Sequence, residues 1–144
     1  MSTLEKAIAM AAAAHAGQVD KAGEPYILHP LRVMFRLQSP HERMAGVLHD
    51  VVEDTSVTPD DLRAAGFPDE VLIAVEALTK RPGESRLQAA NRAVRNPIAR
   101  AVKLADNAEN MDLSRITQPS AEDFARLQEY AEVRALLRAG VAEP

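Results

Sequence analysis

Four residues in one short stretch, His49, Asp50, Glu53 and Asp54, offer the most visible chemistry in this chain. On a helix, His49 lies one turn from Glu53 and Asp50 one turn from Asp54. The stripe presents an imidazole and three carboxylates, and Met44, Val47, Leu48, Val51 and Val52 make a broad apolar face around it. Carboxylates this close repel one another and raise each other's pKa unless a cation intervenes. Their charge also sits at the unfavourable end of the helix dipole. A bound divalent cation removes both objections; a solvated acidic helix end is the plainer alternative.

A second polar stripe runs through residues 97–111. Lys103, Asp106, Asn107 and Asn110 interrupt the apolar set Ile98, Val102, Leu104, Ala105, Ala108 and Met111 at helical spacing. Taken alone, it reads equally well as an exposed face. His29 opens a helix at His29-Pro30, and a lone His there is ordinarily a cap or a packed ring. If His29, His49, Asp50 and Asp106 converge, two imidazoles and two carboxylates make a mixed nitrogen and oxygen site. That set suits Mn²⁺, Fe²⁺ or Zn²⁺ better than Ca²⁺. Open coordination positions would let such a metal activate water. The chain has no Cys, which removes disulfide scaffolds, thiol nucleophiles and thiolate zinc sites together.

The elements that must position these residues are helices. With 144 residues the chain fits one domain, residues 1–144, with 141–144 expected as a loose tail. Aromatics are 3% and Trp is absent, so the core must be built from Ala, Leu, Val, Ile and Met, which favours helices over a β-sandwich. Helices are expected over about 3–16, 29–38, 40–54, 58–66, 68–79, 86–95, 97–111 and from 120 to near Gly140. Thr3 and Thr58 are natural N-caps, Gln118-Pro119-Ser120 precedes the last helix, and Pro30, Pro40, Pro59 and Pro97 suit first turns. Residues 17–28 and 80–85 read as loops. The result is an all-α bundle of about eight helices. A net charge of −4 disfavours broad binding to DNA or RNA. The apolar run at 7–14, AIAMAAAA, is too short to span a bilayer and lacks the features of a signal peptide, so a cytoplasmic protein without a membrane partner is expected.

These segments together resemble a known family. HAGQVDKAGEPYILHP at 15–30, HDVVEDT at 49–55 and KLADNAEN at 103–110 are similar to the hydrolase domain of RelA/SpoT homologues, among the HD-domain metal-dependent phosphohydrolases. A bare His-Asp pair is weak evidence, but the ordered set HxGQ, GxPYxxHP, HDxxEDT and KxxDxxxN is strong. The small size is like that of the stand-alone alarmone hydrolases. The resemblance implies an HD-domain helical bundle in which His29, His49, Asp50 and Asp106 bind one metal, usually Mn²⁺. It further implies that Glu53 and Asp54 position and deprotonate the attacking water. The reaction would remove the 3′-pyrophosphate from guanosine tetra- or pentaphosphate. Lys21 would contact the nucleotide, Asn110 its ribose or phosphate, and Lys80 or Arg81 its distal phosphates. RLQEY at 126–130 resembles the last helix of the family, where Arg126 and Tyr130 would face the nucleotide. Ordinary surface charge is the alternative for Lys80, Arg81 and Arg126, and a rim position for Tyr130. His15 belongs to HxGQ and is expected to make a structural hydrogen bond; His41 has no motif partner and is expected to be exposed.

Two departures stand out. Asp20 occupies the place of an Arg that in relatives packs on the base, which removes a cation–π contact and adds negative charge near a polyanion. Asn107 and Glu109 follow Asp106 where relatives often carry a basic residue, so the pocket is expected to be less positive. Two other readings therefore accompany the first: a related metal phosphohydrolase for another nucleotide, such as a nucleoside phosphate or a 2′-phosphorylated dinucleotide, and a non-catalytic nucleotide-binding module on the same fold.

Overall fold

In the computed structural model of the chain, residues 2–114, 116 and 118–140 are described. The expected tail at 141–144 lies outside the described residues. These residues form an all-α bundle: α1 (Leu4–Ala14), α2 (Leu28–Phe35), α3 (Pro40–Leu48), α4 (Val51–Asp54), α5 (Pro59–Ala64), α6 (Asp69–Leu78), α7 (Arg86–Ala93), α8 (Pro97–Asn110) and α9 (Ala121–Ala139). The starts follow the caps. Thr3, Ser39, Thr58, Ser85, Asn96 and Ser120 each accept a hydrogen bond from a backbone N–H of the first turn. At Ser39, Thr58, Ser85 and Ser120 the third helical residue reaches back to close a capping box. The one extended pairing among the described residues is an isolated bridge between Val19 and Pro25 in the loop that follows α1.

The expected helix over 40–54 is not continuous. It breaks after Leu48, and His49 and Asp50 form the joint before the single turn of α4. The cause is local. The His49 ring donates from Nδ1 to the Gly46 carbonyl at 2.6 Å, and the backbone N–H of His49 turns to the same oxygen at 3.5 Å. The regular i→i−4 pattern is thereby given up where the two chemical residues stand. His41, expected to be exposed, is half-buried at the start of α3.

Helix α3 is the central element and packs against α1, α2, α6 and α8. Ala7 and Ala11 of α1, Val33 of α2, Ala45, Val47 and Leu48 of α3, Val71 and Ala74 of α6, and Ala99 and Val102 of α8 are fully buried. Fully burying a Val or Leu side chain contributes about 1.5–3 kcal/mol. Small residues let these helices approach closely: a Cβ on Gly46 would lie 2.5 Å from the Leu37 side chain. A smaller cluster of Ala90, Val133 and Leu137, with Leu104 packed on it, joins α7 and α9 to α8. Helices α2, α3 and α8 are therefore held in mutual contact, and these carry or adjoin His29, His49, Asp50 and Asp106. No helix among the described residues is long and apolar enough to cross a membrane.

Candidate active site

His29 lies in the first turn of α2, His49 and Asp50 at the joint after α3, and Asp106 in the last turns of α8. Packing brings all four together. His29 Nε2 is 2.8 Å from Asp106 Oδ1, and His49 Nε2 is 3.3 Å from the same oxygen. His49 Nε2 also lies 3.1 Å from Asp50 Oδ2. Ligand atoms of His29, His49 and Asp50 all fall within 4.8 Å of one another. The Nδ1–H bond to Gly46 leaves His49 Nε2 facing the cluster. That atom is buried and aligned with no hydrogen-bond partner, although two carboxylate oxygens stand close by. An orphaned, buried imidazole nitrogen between two carboxylates fits one divalent cation.

The electrostatics agree. Burial opposes charge on the His49 ring, but Asp50 and then Asp106 outweigh it and hold its pKa well above the imidazole range. Burial likewise opposes charge on Asp106, yet His49 and His29 hold the carboxyl well below its usual range. Asp50 is also lowered, His49 overcoming the burial. Asp50 and Asp106 thus both favour their charged forms against the His49 ring. A divalent cation supplies the missing charge and would displace the proton from His49 on binding.

Two cavities open on this cluster and share Tyr26, His29, Arg86, Asn110 and Tyr130 in their walls. The smaller, about 280 Å³, holds Asp50, Asp106, Glu53 and Lys103. Glu53 Oε1 accepts the backbone N–H of Lys80 at 2.8 Å, which aims the carboxylate from α4 toward the loop after α6. The larger, about 440 Å³, is lined by Lys21, Arg126 and the apolar Val19, Leu113 and Ile116. Asn110 and Tyr130 are therefore on the walls of both cavities, and Lys21 and Arg126 on the wall of the larger one. Asp54 is not among the residues lining either cavity; it is exposed, and burial of part of its carboxyl, then Asp50 and Glu53, raises its pKa. Lys80 and Arg81 line a separate groove with Ile73 and Pro82, not the two cavities of the cluster. Only the Lys80 backbone touches the site.

Three contributors escaped the sequence reading. Tyr26, inside the GEPY turn, donates its hydroxyl to Asp50 Oδ2 at 2.5 Å; burial and then Asp50 push the phenol far above its ordinary pKa. It fixes one carboxylate of the cluster, so Tyr26→Phe is expected to weaken divalent-metal affinity by about 10- to 100-fold, read by calorimetric titration. Arg86 stacks over the Tyr130 ring at 4.9 Å and pairs with Glu129. Arg92 grips both oxygens of Glu84 and the carbonyls of Ala77 and Thr79, which ties down the loop whose Lys80 N–H holds Glu53. Nothing in the sequence of α7, RLQAANRA, singles out Arg92 from Arg86 for this role.

The departures take on structural roles. Asp20 Oδ1 accepts the backbone N–H groups of Ala22 and Glu24, closing the tight loop in which Gly23 has φ +82°. Glu109 is buried in the wall of the larger cavity and receives Arg32 at 3.1 Å and Arg36 at 2.6 Å, so its charge is offset by two guanidinium groups. Asn107 is buried and donates to the Tyr130 carbonyl at 2.9 Å, fastening α9 to α8. His15 makes the expected structural bond, from Nδ1 to Gln18 at 2.8 Å; Gln18 in turn donates to the Asp54 carbonyl.

Comparison with known proteins places this geometry. A family model described as an HD domain matches residues 7–143. A Streptomyces coelicolor protein named GTP pyrophosphokinase is 35% identical over 147 residues, which cover 93% of this chain and 17% of the relative. A Borreliella burgdorferi protein named guanosine-3′,5′-bis(diphosphate) 3′-pyrophosphohydrolase is 38% identical over 79 residues, 52% of this chain and 12% of the relative. The chain spans about a tenth to a fifth of the length of the curated relatives it matches. Among solved structures, that of a metazoan ortholog of SpoT, reported to hydrolyse ppGpp, superposes with a TM-score of 0.80 at 24% identity. It covers 96% of this chain and 86% of that chain, and establishes the likeness of fold. With its model matched over nearly the whole length and the His and Asp side chains gathered where α2, α3 and α8 meet, the chain belongs to the HD-domain family.

Proposed function

We propose that the chain is a metal-dependent phosphohydrolase that removes the 3′-pyrophosphate from guanosine tetra- or pentaphosphate. The observation that carries this reading is the position of the His/Asp cluster at the junction of two cavities, with Glu53 on the wall of one and Lys21 and Arg126 on the wall of the other. The similarity to relatives named for this reaction supports it. His29, His49, Asp50 and Asp106 would hold one Mn²⁺, which when bound polarises the phosphoryl group and lowers the pKa of water. Glu53, held by the Lys80 N–H, takes the proton from the attacking water. Asp54, next to it on α4, supports that role. The water oxygen bonds to the phosphorus next to the 3′-oxygen; the P–O bond to that oxygen breaks, and the 3′-oxygen is reprotonated as pyrophosphate leaves. Asn110 and Tyr130 bracket the nucleotide, with Lys21 and Arg126 on its charged groups. We read residues 1–144 as one such catalytic unit, working on cytoplasmic nucleotides.

A second reading, action on a different nucleotide, is favoured by Asp20, which lines the larger cavity at the place where the family resemblance implies an Arg. Steady-state turnover of a nucleotide panel with Mn²⁺ separates the two. The 3′-pyrophosphorylated guanosine nucleotides are expected to be the best substrates by kcat/KM; activity confined to other nucleotides would establish the second reading instead.

A further inference from the structure

Every basic side chain on the wall of the larger cavity is paired with a carboxylate. Arg86 pairs with Glu129, and Arg126 with Glu122 at 2.9 Å. The third pairing differs in kind. One oxygen, Asp123 Oδ1, lies 3.1 Å from Lys21 Nζ and 3.7 Å from Arg126 Nη1. It bridges the loop after α1 to the first turn of α9, and the Asp123 side chain is only 12% exposed. The other carboxylate oxygen is held by the Ser120 N–H in the capping box of α9. Asp123 is thus fixed by the helix start and places one anionic oxygen where two cations from distant parts of the chain converge.

We propose that this point is a phosphate subsite occupied by the protein's own anion, and that Asp123 is a specificity-determining residue that competes with the phosphate of an incoming nucleotide. The inference rests on the reading of the larger cavity as a nucleotide site. An anionic oxygen of the ligand can take Lys21 and Arg126 only by displacing the Asp123 oxygen. The resident carboxylate raises the threshold for weakly charged nucleotides. A ligand with several phosphate oxygens can chelate both cations and overcome it. The same contact keeps Lys21 of the exposed loop directed toward the cavity before any ligand arrives.

Asp123→Asn tests this, because the amide oxygen can still accept the Ser120 N–H while the charge is gone. It is expected to lower KM for the 3′-pyrophosphorylated guanosine nucleotide by roughly three- to tenfold, the range of one partly exposed ion pair with charge-assisted bonds. Glu70→Gln removes the same charge from the exposed start of α6 and is expected to leave KM where it is. An unchanged or raised KM in Asp123→Asn, or an equal fall in both variants, would overturn the proposal. Titration of the metal-free protein with inorganic pyrophosphate gives a second readout that needs no turnover: Asp123→Asn is expected to bind several-fold more tightly than the wild type, and equal binding would again overturn it. If the wild type turns over no guanosine nucleotide while the pyrophosphate difference persists, the functional reading fails and the subsite stands.

Discussion

Replacing Asp106 with alanine is expected to abolish metal-dependent turnover and to weaken binding of one divalent cation by at least about 100-fold, the upper end of the cost of losing even an outer partner of a metal ligand. Asp106 is the hub of the cluster. One of its oxygens reaches both imidazoles, at 2.8 and 3.3 Å, and the other lies 3.7 Å from Lys103 Nζ. Without it, His29 and His49 keep their positions on α2 and after α3 but lose the anion between them. Asp106→Asn separates charge from shape, since the amide fills the same space. Both variants are expected to lose metal in a calorimetric titration with Mn²⁺, and Asn is expected to fold at least as readily as Ala. A pH dependence follows for the metal-free protein. The Asp106 carboxyl is held below its usual range in the folded chain, so its ionisation contributes stability above an ordinary pKa of about 4. That contribution is lost as pH falls through the depressed value. The gap in thermal midpoint between the wild type and Asp106→Asn should therefore narrow on acidification below about pH 4.

Glu53→Gln is expected to bind the metal as the wild type does and to lose about 10²- to 10⁴-fold in kcat, the usual contribution of a general base. The amide keeps an oxygen for the Lys80 N–H, so the loop after α6 stays in place and only the ability to take a proton is removed. KM should change little, because the role proposed for Glu53 is toward the water and not the nucleotide. Turnover near the wild-type rate would take the base role from Glu53. Loss of metal along with activity would make it a ligand instead. The parallel substitution Asp54→Asn is expected to cost less, since Asp54 lines neither cavity.

The fold was legible where local chemistry decides it. Thr3 and Thr58 announce their helices, and each cap forms in the structure. The joint at His49 and Asp50 was not legible. Val47, Leu48, Val51 and Val52 keep helical spacing straight through it, and the break comes from a side-chain bond to the Gly46 carbonyl that no periodicity records. The His/Asp cluster was legible as a set of residue types, and its convergence depends on helix packing among small residues. The larger cavity was the least legible part. Lys21 and Arg126 can be picked out as cations, but nothing in the sequence couples Lys21 to Asp123 across 102 positions. Asp20 and Glu109 look like misplaced acids until the backbone N–H groups of one loop and two arginines are found to hold them. Lys80 illustrates the reverse error: its ammonium draws attention, and its backbone N–H is the group that reaches the site.

The central claim is that one metal, held by two His and two Asp, lets this chain cut the bond between the 3′-oxygen and its pyrophosphate. The most direct test is turnover of guanosine 3′,5′-bis(diphosphate) in ¹⁸O-labelled water with Mn²⁺, quenched with a chelator and resolved by mass. The expected products are one guanosine 5′-diphosphate and one pyrophosphate per turnover, with a single ¹⁸O in the pyrophosphate and none in the nucleoside, and no reaction is expected when the chelator is present from the start. Release of orthophosphate, ¹⁸O in the nucleoside, or turnover that persists without the metal would contradict it.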